Sequence, residues 1–223
     1  MTTAPDTDFY AAFLHELNQP ITTIRNILEL TTYRESNDWP AVVENTLENV
    51  ERIVELLDLM GELRRLEQAP GPQDRVEIAA LLRETMEDLD VSAADNEKKL
   101  LGEGLATSTW VLAPQEVLRP VLFRILDDAI YHTPKGQAIK VVLQTSADGV
   151  LLDVASAGMR LSANESQTLL ALSQTGRGPR GTVTRRVFRV ALILRTLALH
   201  AAKFAFFADD PQSATLRIIL PQG

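Results

Sequence analysis

The chain is organised around one segment, Phe13-Leu14-His15-Glu16-Leu17-Asn18-Gln19-Pro20-Ile21. Apolar residues recur four and three positions apart through and beyond it, a spacing typical of a helix packed in a bundle: Tyr10, Leu14, Leu17, Ile21, Ile24 and Leu28. His15 falls on the flank of that apolar stripe. Pro20 removes the amide that would bond the carbonyl of Glu16, so it is expected to bend and loosen the helix. A bend of this kind is costly for packing alone and indicates a functional role.

These residues resemble the phosphoacceptor motif of sensor histidine kinases, His-Glu-Leu-x-x-Pro, which lies on the first helix of their dimerisation domain. The resemblance implies that His15 carries a phosphoryl group. Glu16 is expected to accept a hydrogen bond from the other ring nitrogen, which fixes the tautomer and stabilises positive charge as it develops. Gln19, one turn further on, is the candidate for orienting a water in dephosphorylation. The simpler alternative is a solvated helix face, which the motif disfavours for His15 and Glu16 but leaves open for Gln19.

A receiver domain of a response regulator is the partner that this resemblance implies. The residues expected to contact it lie on the same helix as His15: Leu14, Asn18, Pro20 and Thr22. The acyl phosphate and its Mg²⁺ would arrive with that domain. We therefore expect neither a metal site nor a cofactor in this chain.

Composition excludes several classes of protein. The 223 residues are 45% hydrophobic and 23% charged, enough for one large or two small domains with their own cores. There are no cysteines, which excludes disulfides and thiolate metal sites, and the three histidines are too dispersed for a zinc site. The net charge of −8 argues against nucleic-acid binding. Neither a signal peptide nor a membrane-spanning apolar run is evident, so we expect a cytoplasmic protein without membrane contact.

The first part of the chain predicts a helical hairpin. One helix is expected from about residues 6–8 to Arg34 and a second from about Pro40 to Gln68. The apolar surface of the second helix is wider than one facing helix can cover, which favours a second copy of the hairpin and therefore a dimeric four-helix bundle. The run Ala69-Pro70-Gly71-Pro72 predicts a linker. We accordingly predict a dimerisation and phosphoacceptor domain over residues 1–69 and a second domain over 74–223.

Short alternating elements follow the linker. Strands are expected at 76–78, 99–105, 109–112, 139–145, 150–154, 203–208 and 214–220, with helices ending near Leu89, near Ile130, near Leu172 and near Ala201. Ala147-Asp148-Gly149 predicts a hairpin turn and Ser162 with Glu165 a capping box. This order resembles the ATP-binding domain of histidine kinases, an α/β sandwich with a mixed sheet backed by helices. The predicted fold class is therefore α+β.

The family's N-box, Asn-Leu-x-x-Asn-Ala-x-Lys-Tyr/His-Thr, aligns with residues 124–133 of this chain. Three scaffold positions are kept, as Ala129, His132 and Thr133. The two asparagines that help to hold Mg²⁺ and phosphates are replaced by Arg124 and Asp128, and the lysine by Tyr131. Asp128 can still ligate Mg²⁺, whereas an arginine repels the metal.

Two further nucleotide motifs are also altered. Ser156 aligns with the aspartate that accepts a hydrogen bond from adenine, and Gly158 is kept, but Arg160 replaces the second glycine and removes a close backbone approach. The glycine-rich lid sequence aligns with Val187-Phe188-Arg189-Val190. We therefore predict that ATP binding is lost. The resulting hypothesis is a homodimeric phosphorelay histidine phosphotransferase that exchanges phosphate with receiver domains without ATP. The alternatives are a non-catalytic regulator and a divergent ATP-dependent kinase.

The last long helix and the loop before it are strongly basic. No acidic residue lies between Glu165 and Asp209, while seven basic residues do: Arg177, Arg180, Arg185, Arg186, Arg189, Arg195 and Lys203. We favour a solvated loop and polar helix face over an anion-binding or partner-docking surface. His132 and His200 are predicted to be packing or capping groups at helix ends.

Overall fold

A computed structural model describes residues 7–33, 39–68, 74–175, 185–198, 200–207 and 213–223. Two long helices, α1 (Thr7–Tyr33) and α2 (Trp39–Gln68), contact each other and form the predicted hairpin. Helix α1 continues through Pro20. The expected linker at 69–72 and the glycine- and arginine-rich loop at 176–181 lie outside the described residues.

The face of α1 that packs within the chain differs from the predicted stripe. Phe13, Glu16 and Pro20 are buried, whereas Leu14, Ile21 and Leu28 are about half exposed. On α2 the buried residues are Leu56 and Met60, and a row of apolar side chains remains exposed: Trp39, Val43, Leu47, Val50, Val54 and Leu57. A single chain therefore leaves part of the apolar surface of the hairpin uncovered, as the width of the predicted α2 surface implies. The spacing of apolar residues identifies the apolar rows on a helix, but it does not show which row packs against other parts of the same chain.

The second part of the chain is an α/β sandwich. Its elements are β1 (Asp74–Glu77), α3 (Ile78–Asp95), β2 (Lys99–Glu103), β3 (Trp110–Ala113), α4 (Gln115–His132), β4 (Ala138–Ser146), β5 (Gly149–Ser156), α5 (Ala163–Thr175), α6 (Arg185–Ala198), β6 (Lys203–Phe207) and β7 (Ala214–Leu220). The main sheet has the order β2-β4-β5-β7-β6, in which β2 and β4 are parallel and the other pairs antiparallel. Strands β1 and β3 form a separate antiparallel pair. The α+β fold class is confirmed.

One face of the main sheet forms the core with the helices. The alternation of buried positions along β5, at Val150, Leu152 and Val154, places their side chains toward the helical layer. Helices α4 and α6 contact each other and supply fully buried partners such as Leu122 and Phe188. This helical layer therefore positions the site residues on α4 and α6.

The local signals in this half specify its turns and caps. The β4–β5 hairpin follows the predicted turn, and Gly149 adopts a φ of 133° that favours glycine. The capping box before α5 is formed: the Ser162 amide donates to Glu165 Oε2 at 3.0 Å and the Glu165 amide donates to Ser162 Oγ at 3.2 Å. Helix α3 runs to Asp95, six residues beyond the predicted end near Leu89.

Candidate functional site

Helix α1 presents a histidine and a carboxylate in contrasting environments. The His15 side chain is 66% exposed, whereas the neighbouring Glu16 side chain is 1% exposed, turned into the hairpin. His15 Nδ1 lies 3.6 Å from Glu16 Oε1, so the carboxylate faces one ring nitrogen and leaves Nε2 directed elsewhere. A solvated helix face for both residues is therefore wrong for Glu16. The pair therefore places an accessible nucleophile, the His15 ring, beside a buried hydrogen-bond acceptor, the Glu16 carboxylate.

The buried carboxylate is held by residues of both helices. Arg52 of α2 donates from Nη2 to Glu16 Oε2 at 3.2 Å and to Gln19 Oε1 at 3.3 Å. Gln19 Nε2 in turn donates to Glu16 Oε1 at 3.4 Å. The structure thus brings His15, Glu16 and Gln19 together, as the sequence predicts, and adds Arg52. No motif marks Arg52, which lies 36 residues from Glu16 in the chain.

The residues predicted to contact a partner are divided between surface and interior. Leu14, Asn18 and Thr22 are exposed and lie four residues apart, so they form a row along α1 next to His15. Pro20 is buried in the hairpin. The exposed row forms a continuous surface around the histidine.

A second cluster of charged groups lies in the α/β domain, at the positions aligned with the nucleotide motifs. Asp128 is 3% exposed and accepts two hydrogen bonds at Oδ2 from Arg186, from Nε at 3.3 Å and from Nη2 at 3.1 Å. Arg186 also donates to the carbonyls of Gly158 and Arg160. The guanidinium therefore joins α6 to α4 and to the turn after β5. The prediction of a solvated polar face is wrong for this arginine.

Arg186 and Asp128 border an apolar cavity between α4, α5, α6 and the sheet. Its apolar lining includes Ile125, Met159 and Phe206. The cavity volume is about 10 Å³, close to the minimum that holds one water molecule and far too small for a nucleoside. In this conformation the domain is closed at the position aligned with the adenine site.

One buried polar group and one buried carboxylate occupy positions aligned with the nucleotide motifs. Ser156, aligned with the adenine-binding aspartate, is buried, and its Oγ has no hydrogen-bond partner among the described residues. The described part of the chain contains no group of three or more histidine, aspartate or glutamate side chains arranged to hold a metal ion. Asp128, the expected carboxylate ligand, is paired with Arg186. The described residues therefore do not fit Mg²⁺ in this arrangement.

Arg189, one turn after Arg186, joins the α/β domain to the hairpin. Arg189 Nε lies 3.0 Å from Glu55 Oε1 on α2, and Arg189 Nη2 lies 3.7 Å from Asp127 Oδ2 on α4. Burial raises the pKa of Asp127, an effect that Arg189 opposes. The predicted solvated face is thus also wrong for Arg189, whereas Arg177 and Arg180 lie outside the described residues.

An aromatic contact places the α/β domain against the phosphoacceptor helix itself. The rings of Phe13 and Phe188 are 6.2 Å apart between centroids, and both side chains are buried. Phe13 precedes His15 by two residues, and Phe188 lies between Arg186 and Arg189 on α6. Helix α6 therefore contacts the closed cavity through Arg186 and the hairpin through Phe188, which lie on different sides of the helix.

The two other histidines lie near helix ends. His132 is at the end of α4 with Nε2 3.5 Å from Asp128 Oδ1, and burial lowers its pKa although Asp128 opposes the effect. His200 follows α6 and is buried, which lowers its pKa. Neither faces the site around His15 through any described contact.

Comparisons with known proteins identify the fold and the relatives. The sensor protein SphS of Synechococcus elongatus is 27% identical over 143 residues, covering 63% of this chain and 34% of that protein. A structure of the histidine kinase AdeS of Acinetobacter baumannii has a TM-score of 0.70 at 16% identity, covering 94% of this chain and 98% of that one. The chain is a histidine kinase-like protein. No family model matches it.

A further structure bears on partners of this histidine kinase-like fold. The histidine kinase ThkA, solved in complex with the response regulator protein TrrA, has a TM-score of 0.72 at 14% identity, covering 97% of this chain and 62% of that one. The chain spans about a third to a half of the length of the curated relatives it matches. None of the described helices is both long and apolar enough to cross a membrane.

These relatives correct the predicted function. The hypothesis of an ATP-independent phosphotransferase is wrong, because the proteins that the chain resembles in sequence are sensor histidine kinases. The altered motif positions are few beside the sequence similarity to these kinases, which covers 63% of this chain for SphS. Replacement of a motif residue changes one contact, whereas another residue of the same fold can supply a substitute contact.

Proposed function

We propose that the chain is a two-component signalling protein of the histidine kinase type, in which His15 accepts the γ-phosphoryl group of ATP and passes it to a receiver domain. The observation that supports this most directly is the exposed His15 beside the buried Glu16, on the helix that contacts the α/β domain. A buried carboxylate is costly even when it is paired, as Glu16 is with Arg52, so its presence beside a histidine favours a chemical role.

The proposed transfer uses the two ring nitrogens differently. The lone pair of His15 Nε2 forms a bond to phosphorus while the bond from phosphorus to the bridging oxygen breaks, and ADP leaves with that electron pair. The ring becomes positively charged, and Nδ1 releases its proton toward Glu16. Gln19 lies beside the same carboxylate and is placed to orient a water for the reverse, hydrolytic reaction. Both roles are proposals.

Nucleotide entry requires a change in the α/β domain. The cavity at the aligned position is closed and Asp128 is engaged by Arg186, so the conformation described here is one without room for a nucleoside. Kinase activity therefore requires that α6 moves away from α4 and the β5 turn. The predicted loss of ATP binding stays a prediction, and ATP binding to the purified protein tests it.

A receiver domain of a response regulator is the proposed recipient of the phosphoryl group. The complex of ThkA with a response regulator supports this class of partner for a similar fold. The exposed row Leu14, Asn18 and Thr22 supplies apolar and hydrogen-bonding groups around His15 for such a contact. Dimerisation through the exposed apolar row of the hairpin is part of the same proposal.

Labelling with ATP tests the proposal. The protein is incubated with Mg²⁺ and ATP labelled on the γ-phosphate, and incorporated label is tested for lability in acid and stability in base. We expect label on the wild type, none on His15→Ala, and unchanged label on the Arg25→Met control, which replaces an exposed arginine of α1 paired with Glu29. Absence of label on a folded wild type that binds ATP would overturn the proposal and favour a non-catalytic regulator. Label that persists in His15→Ala would show that another residue is the phosphoacceptor.

A further inference from the structure

A buried ion pair crosses the hairpin directly behind His15. Glu16 is 1% exposed and its partner Arg52 is 14% exposed, so water contributes little to the stabilisation of either charge. The two oxygens of Glu16 have different surroundings: Oε2 accepts from Arg52, while Oε1 accepts from Gln19 and faces His15 Nδ1. The orientation of the carboxylate therefore depends on which groups hold each oxygen.

Arg52 contacts Glu16 and Gln19, the two residues proposed to assist the reaction at His15. Its Nη2 donates to Glu16 Oε2 and to Gln19 Oε1, which leaves the Gln19 amide nitrogen directed at Glu16 Oε1. These three contacts close a triangle in which rotation of any one side chain breaks two hydrogen bonds. Because Arg52 comes from the other helix, it also fixes the triangle relative to α2.

We infer that Arg52 is a positioning residue for His15: it keeps the buried Glu16 carboxylate aimed at Nδ1, and so directs Nε2 toward the phosphoryl donor. The inference rests on the proposed role of His15 but concerns only the reactivity of its ring. It acts through Glu16, to which the guanidinium donates a hydrogen bond. Loss of the guanidinium removes the contact that holds Glu16 Oε2, which favours rotation of the buried carboxylate away from Nδ1.

A small phosphoryl donor separates this inference from the proposed use of ATP. With phosphoramidate, the Nε2 lone pair forms a bond to phosphorus while the phosphorus–nitrogen bond of the donor breaks, and ammonia leaves with that electron pair. Nδ1 then transfers its proton to Glu16 and onward to solvent. The reaction requires neither nucleotide nor partner protein, so it reports the ring and its immediate neighbours.

The experiment compares the rates at which His15 and His132 of the same molecule are phosphorylated by phosphoramidate, resolved by mass spectrometry under mild alkaline conditions. We expect Arg52→Met to slow labelling of His15 by about tenfold and to leave His132 unchanged. The effect is smaller than the roughly hundredfold or more of a direct acid–base group because Arg52 acts through Glu16. Arg52→Lys restores the charge and is expected to recover most of the rate. Arg25→Met removes an exposed arginine of α1, paired with Glu29, and is expected to change neither histidine.

Two outcomes would overturn the inference. An unchanged His15 rate in folded Arg52→Met shows that the arginine does not act on the ring. Equal slowing of His15 and His132 in a variant that keeps the wild-type melting temperature shows that its effect is not specific to the His15 ring. Combination with Glu16→Gln gives an independent measure: if Arg52 acts through Glu16, the second substitution adds little to the first. Labelling of His15 by phosphoramidate but not by ATP would leave this inference standing and overturn the proposed kinase function.

Discussion

Arg186 of α6 donates twice to the carboxylate of Asp128 on α4, 58 residues earlier in the chain, at 3.3 Å and 3.1 Å. The same guanidinium reaches the carbonyl of Gly158 at the end of β5. Three elements that border the aligned nucleotide site are thus held together by one side chain. Whether nucleotide enters depends on the stability of these contacts.

Replacement of Arg186 should open the nucleotide site. We expect Arg186→Gln combined with Asp128→Asn to bind an ATP analogue at least about tenfold more tightly than the wild type, a change of ~1.4 kcal/mol. The reason is that the bridging guanidinium is gone and the asparagine typical of the family is restored without an unpaired buried charge. Isothermal titration calorimetry with a non-hydrolysable ATP analogue and Mg²⁺ measures the affinity.

The choice of a double variant follows from burial. Arg186→Ala alone strands Asp128, which is 3% exposed, and is expected to lower the free energy of unfolding by about 3–5 kcal/mol. Arg119→Gln is the control, since Arg119 lies on the same helix as Asp128 and pairs with Asp88 at the surface. An affinity in the double variant equal to that of the wild type would show that Arg186 does not govern nucleotide entry.

Gly158 tests how tightly the turn after β5 packs on α4. A Cβ at this position would lie 2.6 Å from the Thr133 amide nitrogen and 2.9 Å from the Ala129 carbonyl oxygen, both backbone atoms. We expect Gly158→Ala to lower the free energy of unfolding by about 1–3 kcal/mol, as overpacking does elsewhere. Chemical denaturation measures this loss.

Gly61 on α2 supplies the matched control for that substitution. A Cβ there meets no atom within 4 Å, so Gly61→Ala is expected to stabilise the helix by up to about 1 kcal/mol. If the two substitutions change the free energy of unfolding in opposite directions, the loss in Gly158→Ala is due to local packing at that position. Equal stability of Gly158→Ala and the wild type would contradict the close approach.

The features that the sequence predicted are those that depend on nearby residues. The two long helices, the β4–β5 turn and the capping box of Ser162 with Glu165 follow from spacing and turn chemistry within a few residues. His15, Glu16 and Gln19 are within one turn of a helix, so their proximity was also predictable.

The features that the sequence did not predict are contacts between distant residues. Arg52 with Glu16 and Arg186 with Asp128 join residues 36 and 58 positions apart, and such pairs leave no periodic signal. The basic segment appeared solvated because no acidic residue is near it in sequence, yet Asp128 and Glu55 reach it in space. For the same reason, the sequence did not show which face of α1 packs against the rest of its own chain.

The exposed apolar row of α2 should form a dimer interface. Val43, Leu47, Val50, Val54 and Leu57 are spaced four and three residues apart and are each 42–54% exposed. We expect Leu47→Glu combined with Val54→Glu to weaken dimerisation by at least about a hundredfold, ~2.8 kcal/mol, since charges in an apolar interface lack partners. Light scattering after size-exclusion chromatography measures the mass. Val91→Glu is the control, because Val91 is an exposed residue of α3. A wild type that stays monomeric at high concentration would contradict the interface.

His200 should make the fold sensitive to mild acid. Burial lowers its pKa, and its Nε2 has no hydrogen-bond partner among the described residues. The unfolded chain then takes up a proton at about pH 6.5 while the folded chain does not, so the stability present above that pH is lost as the pH falls toward the lowered pKa. The pKa of His132 is lowered as well and contributes in the same direction.

Thermal unfolding between pH 7.5 and pH 5.5 measures this dependence. We expect the wild-type melting temperature to fall with pH, and His200→Leu, which replaces a buried imidazole by a non-titrating side chain, to fall less. His15→Gln removes an exposed histidine and should follow the wild type. A His200→Leu protein whose melting temperature falls as steeply as that of the wild type would assign the acid sensitivity to other groups, with His132 next to the Arg186–Asp128 pair as the first to examine.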